Sequence, residues 1–335
     1  MAAARGGGSM KDPFPERLKP MAATLSKGLP PNDDAYAYEF KWDGVRALTY
    51  VRGGEVCVQS RNLLDVTGQY PEVTGVAEKL DGRTAVLDGE IVALDAKGRP
   101  SFQRLQSRMH VGSSVEVRRR MAEVPVAYLV FDVLYLDGRS VMRLPYTERR
   151  ALLEGLAIAG PAAQVPPTTV GNGRAVLEAS KRTGLEGVMA KRLDSIYEAG
   201  KRSRAWLKVK HHRRQEFVIG GWTTGEGRRA GSIGALLLGY YDDGRFTYAG
   251  HVGTGFTDRM LDELRKEMEP LRRPDSPFDT PTPRLKNPTF VEPKLVGEVE
   301  FSEWTRDGTL RQPSFKGLRE DKDPRQVVRE EPPEQ

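Results

Sequence analysis

A short segment near the start of the sequence contains the side chain best suited to covalent chemistry. Lys41 lies within residues 39–46, whose sequence is EFKWDGVR, and Arg46 lies nearby. A lysine amine attacks phosphorus or a carbonyl carbon only when it is deprotonated, so neighbouring cations or desolvation must lower its pKa. Gly44 permits a close backbone approach. Taken alone, the segment fits an exposed strand and turn equally well, so Lys41 is at this point only a candidate nucleophile.

Charged residues on later predicted strands suggest phosphate chemistry. Lys208 and Lys210 are separated by one residue on a strand, so their side chains point to the same side. Because like charges repel, such a pair is best explained by a bound phosphate. Glu90 and Glu186 are carboxylates within apolar strand segments. They are either partners of Lys or Arg, or ligands of Mg²⁺ or Mn²⁺ beside phosphates.

The composition limits the class of protein that can carry this chemistry. A length of 335 residues suits two domains rather than one core. The single cysteine, Cys57, excludes a disulfide within the chain and a four-cysteine zinc site, and a cytoplasmic location is the default expectation. The formal net charge of +6 permits a polyanionic partner without proving one. No apolar stretch predicts a membrane span, and the Ala/Gly-rich start is not typical of a signal peptide.

Hydrophobic periodicity places most of the candidate residues on strands of a first domain. Strands are predicted at 36–52 with a break at Asp43 and Gly44, and at 86–94, 127–136, 186–191 and 205–210. Helices are predicted at 147–156 and at 175–183, the second ending at Gly184. The first 210 residues therefore combine antiparallel strands with helices.

The pattern changes after about residue 214. Short strands at 217–222, 235–241, 245–252 and 296–304 alternate with glycine-rich turns, one helix is predicted at 258–271, and the proline-rich residues 270–293 are predicted to form a long ordered loop. This pattern is typical of a small barrel of the oligonucleotide/oligosaccharide-binding (OB) type. We predict an α+β fold with disordered tails at 1–14 and 329–335 and domains at 15–212 and 213–328.

In chain order, these segments resemble the nucleotidyltransferase superfamily of ATP-dependent DNA ligases, RNA ligases and mRNA capping enzymes. The matching segments are KWDGVR at 41–46, SRN at 60–62, DGE at 88–90, FDVLYLDG at 131–138, EGVMAK at 186–191, WLKVK at 206–210, and LRQP at 310–313 with REDK at 319–322. The segments at 217–222, 250–256 and 302–305 resemble the ligase module of bacterial DNA ligase D, an end-joining enzyme. The resemblance implies an ATP-grasp-like nucleotidyltransferase domain followed by an OB-fold domain.

The resemblance also implies a reaction in three steps. Lys41 attacks the α-phosphorus of ATP and expels pyrophosphate, which leaves a lysyl-AMP. The AMP then moves to the 5′-phosphate at a break in DNA, and the 3′-hydroxyl displaces it. Each step is a phosphoryl substitution, in which positioning and neutralisation of charge supply most of the catalysis.

Roles for the neighbouring residues follow from the same resemblance. Glu39 accepts a hydrogen bond from the adenine amino group, Phe131 stacks on the base, and Arg61 and Glu90 hold the ribose. Arg46 lies near the phosphates or the nick. The residues implied to neutralise or contact phosphates are Lys208, Lys210, Arg319 and Lys322, and the carboxylates implied to hold Mg²⁺ or Mn²⁺ are Asp43, Glu186 and Glu90.

Two groups of residues receive a narrower interpretation. Arg311, Arg319, Asp321 and Lys322 lie in the second domain and reach the pyrophosphate only if that domain swings over the nucleotide, which implies a hinge near residues 211–215. Lys191 and Glu320 are interpreted as structural.

Alternative functions remain open at this level. One alternative is an RNA ligase or a GTP-dependent capping enzyme of the same superfamily, and another is a non-catalytic subunit that binds DNA ends. By analogy, the partners are nicked or broken duplex DNA, bacterial Ku, and separate polymerase or nuclease subunits, with a monomeric chain in the nucleoid.

Overall fold

The computed structural model describes residues 11–95, 99–109, 111, 113–211, 213–225 and 231–330. The predicted tails fall largely outside these residues. Residues 11–14 of the first predicted tail nevertheless contact the core: the Asp12 amide donates to the Gly138 carbonyl at 2.8 Å, and the Phe14 ring packs edge-on against Tyr135. Among the described helices, none is both long and apolar enough to cross a membrane.

The first part of the chain contains eleven strands and five helices within the described residues. The strands are β1 (Ala22–Leu25), β2 (Tyr36–Phe40), β3 (Val45–Arg52), β4 (Glu55–Ser60), β5 (Ala85–Ala93), β6 (Val126–Leu136), β7 (Arg139–Ser140), β8 (Ala163–Gln164), β9 (Thr169–Val170), β10 (Gly187–Arg192) and β11 (Arg202–Lys210). The helices are α1 (Val76–Lys79), α2 (Phe102–Met109), α3 (Ser114–Glu123), α4 (Tyr146–Gly155) and α5 (Gly173–Arg182).

These strands form two sheets. One has the order β1-β11-β10-β2-β9, and the other has the order β4-β3-β5-β6-β7 with β8 beside β6. Strand β6 is almost entirely buried, which explains its continuous apolar run. The main core of the first part of the chain lies on one side of the second sheet, where Leu87, Val130 and Leu153 pack together. The sheets carry the candidate residues into one cavity.

The hydrophobic periodicity of the sequence predicted the long apolar strands and helices correctly but missed several shorter or more polar ones. Strands β2, β3, β5, β6, β10 and β11 and helices α4 and α5 lie where they were predicted, and Gly184 ends α5 in a left-handed conformation. The sequence did not reveal β1, β4, α2 or α3. Helix α3 is rich in arginine and buries Val117, so its apolar stripe is weak. Helix α2 places Phe102, Leu105 and Met109 on one buried face, so its apolar spacing was an available signal that the prediction missed.

The second part of the chain is built mainly from strands. They are β12 (Arg213–Thr224), β13 (Ile233–Asp242), β14 (Arg245–Val252), β15 (Arg272–Arg273), β16 (Pro288–Phe301), β17 (Glu303–Trp304), β18 (Leu310–Arg311) and β19 (Ser314–Leu318), with helix α6 (Asp258–Met268) among them. The main sheet has the order β14-β13-β12-β16-β15, β19 also pairs with β16, and β17 and β18 form a hairpin. The α+β prediction agrees with this mixture.

The prediction of a loop throughout residues 270–293 was wrong at both ends. Arg272 and Arg273 form β15, and β16 already begins at Pro288. The pairing of β12 with β16 jumps from Ile219–Leu295 to Gly221–Phe290, so Pro293 lies in a bulge. A proline is tolerated there because it has no N–H to donate to the ladder.

A buried ion pair holds α4 against the second sheet. Arg149 donates to both carboxylate oxygens of Asp132 at 2.8 and 3.0 Å, and both side chains are almost fully buried. Its remaining nitrogen donates to the carbonyls of Leu144 and Ser195. This arginine therefore joins three segments of the first part.

We expect Arg149→Ala to lower the free energy of unfolding by about 3–5 kcal/mol, because it leaves the buried Asp132 carboxylate unpaired. The matched control is Arg83→Ala, whose pair with Asp137 is roughly half exposed and should contribute less than about 1 kcal/mol. Urea unfolding followed by circular dichroism measures both values. Equal losses in the two variants would contradict the prediction.

Candidate active site

The first sheet brings Lys41 beside two other candidate residues. The Lys41 amide donates to the Gly187 carbonyl at 2.9 Å, and Gly187 pairs with Lys210 across β10 and β11. A side chain at position 187 is excluded, because a Cβ there would lie 2.0 Å from the Val209 carbonyl oxygen and the φ angle is +156°. Gly187 therefore lies between Lys41 and Lys210 across the sheet.

A second row of residues across the strands lies beside the row that contains Lys41 and Lys210. Glu39 pairs with Met189, and Met189 pairs with Lys208. Because alternate residues of a strand share a face, this row lies on the same face as Lys41 and Lys210. The sheet alone thus assembles three lysines and a glutamate that were predicted to act together.

Glu186 neutralises two of these lysines. Its Oε2 forms an ion pair with Lys41, and its Oε1 lies 2.9 Å from the Lys210 ammonium. Burial by itself would raise the pKa of Glu186, but Lys210 and Lys41 lower it well below its ordinary value. The reverse holds for Lys210, whose pKa is raised by Glu186 against the effect of burial. The repulsion inferred between the lysines is therefore relieved by a carboxylate.

Lys208 has a different partner, from the far end of the chain. The Glu330 carboxylate accepts a hydrogen bond from its ammonium at 2.6 Å. Gln215 holds this segment in place, since its side chain accepts from the Glu330 amide at 3.0 Å and donates to the Val328 carbonyl at 3.0 Å. Burial lowers the pKa of Lys208 to about 8, although Glu330 opposes the shift. Glu330 lies within the predicted disordered tail.

An aromatic cluster lies further along the same face. The Lys191 ammonium lies 4.5 Å from the centre of the Phe131 ring and 4.4 Å from that of Trp206. The Arg46 guanidinium lies 5.4 Å from the Phe131 ring. Glu39 accepts a hydrogen bond from the Tyr146 hydroxyl and pairs with Lys191. Phe131 and Glu39 thus lie together, as their implied roles require.

The second sheet supplies Arg46 and Glu90, which pair across β3 and β5. Arg46 donates two hydrogen bonds to Asp88, at 3.0 and 2.6 Å, so its guanidinium is held from behind. Burial raises the pKa of Glu90 to about 7, although Lys41 and two arginines oppose the shift. Burial also lowers the pKa of Arg61, which lines the same cavity.

The second part of the chain closes over this cavity. The Asn62 side chain donates to the Asp321 carbonyl at 2.8 Å, and Gln106 donates to the Leu318 carbonyl at 2.9 Å. Arg319 donates to both Asp321 oxygens and to the Gly44 carbonyl. The arrangement is therefore the closed one that the sequence-based interpretation required for these residues to reach a nucleotide.

Two other predicted residues of the second part differ in position. Lys322 lines the cavity and pairs with Glu216 at 2.8 Å. Arg311 lies on the exposed β17–β18 hairpin, where it pairs with Glu303 at 2.7 Å. The closed structure therefore brings Lys322 to the site and leaves Arg311 at the surface.

The three predicted metal ligands do not form a preformed metal centre. Asp43 accepts a hydrogen bond from Arg214 at 2.8 Å, and Glu186 is paired with its two lysines. Among the residues that the structure describes, no three His, Cys, Asp or Glu side chains are grouped to hold a metal ion. Metal binding by Asp43, Glu90 and Glu186 stays a prediction.

All these groups surround one cavity of about 1090 Å³, part of which is open to solvent. Its lining includes the predicted site residues except Arg311, which lies at the surface, and Glu186, which contacts the lining residues Lys41 and Lys210. Sequence reasoning missed the lining residues Met189, Trp206, Glu216, Glu298 and Glu330. Trp206 and Met189 lay within segments already singled out, so their alternation with Lys208 and Lys191 was an available signal; Glu330 offered none.

Two models of known protein families match this chain. The model of the ATP-dependent DNA ligase domain matches residues 18–210, and the model of the ATP-dependent DNA ligase C-terminal region matches residues 229–322. This chain belongs to the ATP-dependent DNA ligases. The sequence resemblance to this family is thereby confirmed.

The chain is also similar to individual proteins. It is 44% identical over 317 residues to the multifunctional non-homologous end joining DNA repair protein LigD of Mycobacterium tuberculosis, and the match covers 94% of this chain and 40% of that protein. It is 38% identical to the corresponding protein of Pseudomonas aeruginosa, covering 98% of this chain and 39% of that protein. The chain thus spans about two-fifths of the length of these relatives.

A solved structure supports the fold of this chain. A structure of mycobacterial DNA ligase D complexed with ATP and MES matches with a TM-score of 0.67 and 43% identity, covering 93% of this chain and 98% of that chain. The predicted architecture, a nucleotidyltransferase domain followed by an OB-fold domain, is confirmed.

A buried carboxylate of the ligase gives its stability a pH dependence. Glu298 on β16 is buried, and its Oε2 has no hydrogen-bond partner among the described residues. Burial, with a further contribution from Asp43, raises its pKa from 4.5 to about 7. The folded protein therefore binds this proton more tightly than the unfolded chain, so the stabilisation is complete below pH 4.5 and is lost as the pH rises to about 7.

We expect Glu298→Gln to reduce the fall in unfolding free energy between pH 5 and 8, by up to about 3 kcal/mol, because glutamine has no proton to lose. Urea unfolding at the two pH values measures the change. Glu303→Gln, at a half-exposed position, should retain the wild-type pH dependence. The prediction fails if both variants show the same fall as the wild type.

Proposed function

We propose that this chain seals 5′-phosphate/3′-hydroxyl breaks in duplex DNA through lysyl-AMP and DNA-adenylate intermediates. One observation carries the proposal: Lys41 and Lys210 flank the single carboxylate of Glu186 at a cavity that continues to the Phe131 ring. A nucleotide placed there has its base at the aromatic end and its phosphates at the lysines. Membership of the ATP-dependent DNA ligases supports the assignment of ATP.

The first step follows from this placement. The Lys41 amine forms a bond to the α-phosphorus while the bond to the bridging oxygen breaks and pyrophosphate leaves. The ammonium must first lose a proton to solvent, because the Glu186 carboxylate in contact with it has a pKa well below its ordinary value and serves to position the nitrogen. Lys208 and Lys210 lie on the same face and neutralise the negative charge of the phosphorus centre. Desolvation at the closed cavity strengthens these interactions.

The second part of the chain acts on the leaving group. Arg319 and Lys322 line the cavity opposite the sheet and lie within reach of the outer phosphates of a bound ATP only while the domains are closed. After pyrophosphate leaves, opening exposes the lysyl-AMP to DNA. We place the hinge between Lys210 and β12, where the first sheet ends and the second part begins.

The wider role is also a proposal. We assign the enzyme to non-homologous end joining in the nucleoid, with bacterial Ku and separate polymerase or nuclease subunits as partners, and with Mg²⁺ or Mn²⁺ accompanying ATP. The names of the mycobacterial and Pseudomonas relatives support this role. Residues beyond this stretch make up the larger share of those relatives.

We expect Lys41→Ala to abolish the covalent adenylate, because no other nucleophile occupies this position, and to retain sealing of a nick that already carries AMP. Intact-mass measurement after incubation with ATP and Mg²⁺ or Mn²⁺ detects the adduct. Lys27→Ala, at an exposed position outside the cavity, should form it normally.

Labelled nucleotides separate the rival functions. Labelling of Lys41 by GTP but not by ATP would indicate a capping enzyme, and a missing adduct in the wild type would indicate a non-catalytic DNA-binding subunit. Sealing of only those nicks that carry RNA on the 5′-phosphate side would indicate an RNA ligase. Each of these outcomes contradicts the proposed function.

We expect Glu330→Gln to lower the KM for ATP in lysyl-AMP formation by roughly three- to tenfold, because the phosphates no longer compete with a carboxylate for Lys208. The rate of adduct formation against ATP concentration gives KM. Glu292→Gln, whose partner Arg273 lies outside the cavity, is the control. An unchanged or higher KM in Glu330→Gln would show that the Lys208–Glu330 pair does not compete with ATP.

A further inference from the structure

Glu39 is held by two side chains that the proposed reaction does not use. The Tyr146 hydroxyl donates to its Oε1 at 2.6 Å, and the Lys191 ammonium lies 2.9 Å from the same oxygen. Tyr146 begins α4 and Lys191 lies on β10, so two separate elements meet at one carboxylate oxygen. All three side chains are almost completely buried.

The two contacts leave the other oxygen of Glu39 available. Its Oε2 has no hydrogen bond or ion pair with the residues that the structure describes, and Glu39 lines the cavity beside Phe131. A carboxylate that is ionised accepts hydrogen bonds and donates none. Such an oxygen binds the amino group of a base and repels a carbonyl oxygen in the same place.

Lys191 supplies the counter-charge of this carboxylate. Its ammonium is enclosed by three rings, with centres 4.4 Å (Trp206), 4.5 Å (Phe131) and 5.2 Å (Tyr146) away, and it also donates to the Phe131 carbonyl at 3.3 Å. Burial lowers the pKa of Lys191, and its ion pair with Glu39 opposes that shift. The aromatic faces contribute further to the stability of the cation.

We propose that Tyr146 and Lys191 are positioning residues that determine base specificity. They hold the Glu39 carboxylate in one orientation, so that Oε2 selects a purine with an amino group at position 6 over one with a carbonyl group or no substituent there. The inference rests on the proposed function, because it assigns the base to the Phe131 end of the cavity. It also revises the purely structural interpretation of Lys191.

The test measures substrate preference rather than activity alone. Lysyl-AMP formation is compared with the analogous adduct from purine riboside triphosphate, which lacks the 6-amino group, and from GTP. The variants are Tyr146→Phe and Lys191→Met, and the matched control is Tyr197→Phe. Tyr197 is also a buried tyrosine that donates to a carboxylate, that of Asp88 at 2.6 Å, but it has no contact with Glu39.

We expect Tyr146→Phe to reduce the kcat/KM preference for ATP over purine riboside triphosphate by roughly five- to tenfold, since a hydrogen bond to a charged group is lost. The loss should lie in the KM for ATP, with purine riboside triphosphate almost unaffected. Lys191→Met should also reduce this preference, because the Glu39 carboxylate then loses its second contact and can turn away from the base. Tyr197→Phe should leave the preference ratios unchanged.

Two results would overturn the inference. One is an equal loss with ATP and purine riboside triphosphate in Tyr146→Phe, which indicates a structural role only, and the other is an unchanged preference. If Lys191→Met does not fold, Tyr146→Phe alone decides the question. A wild type that forms no adduct with any nucleotide refutes the proposed function as well, whereas a wild type that reacts while the preference stays constant refutes only this inference.

Discussion

The site depends on how a buried surface tolerates several lysines at once. The register of β2, β10 and β11 fixes Lys41, Lys208 and Lys210 on one face, so their charges cannot be separated without breaking the sheet. At the low effective dielectric of a closed cavity, such charges are costly unless each meets a counter-charge. Glu186 and Glu330 provide those counter-charges.

This constraint links nucleotide binding to domain closure. The phosphates of ATP can replace the carboxylate of Glu330, since both are anions that suit the same ammonium group. The second part of the chain brings further carboxylates to the cavity, among them Glu216 and Glu298, together with Arg319 and Lys322. Closure therefore brings both negative and positive side chains close to the lysines. The net charge around them depends on what occupies the cavity.

The sequence made the first sheet and its chemistry predictable because both depend on local patterns. Alternation on a strand placed Lys208 and Lys210 together, and the order of the segments identified the family. The sequence could not supply pairings between distant residues: Tyr146 meets Glu39 across 107 positions, and Glu330 meets Lys208 across 122. The interpretation of the lysine pair as a phosphate site did not include Glu330 as a partner for the same reason, whereas pairing with Lys or Arg was one of the two interpretations of Glu186.

Two lysine–glutamate pairs at the cavity show how the degree of burial can give the same kind of ion pair two different roles. The Lys191 and Glu39 side chains are 1% and 4% exposed, whereas those of Lys208 and Glu330 are 14% and 16% exposed. Separating the enclosed pair would leave a buried charge with neither water nor a partner. Breaking such a pair typically costs about 3–5 kcal/mol. The second pair borders open space, so an incoming anion can replace its carboxylate while water solvates the displaced group. A permanent pair therefore suits the base, whose recognition must not change during the reaction, and an exchangeable pair suits the phosphates, which arrive and leave.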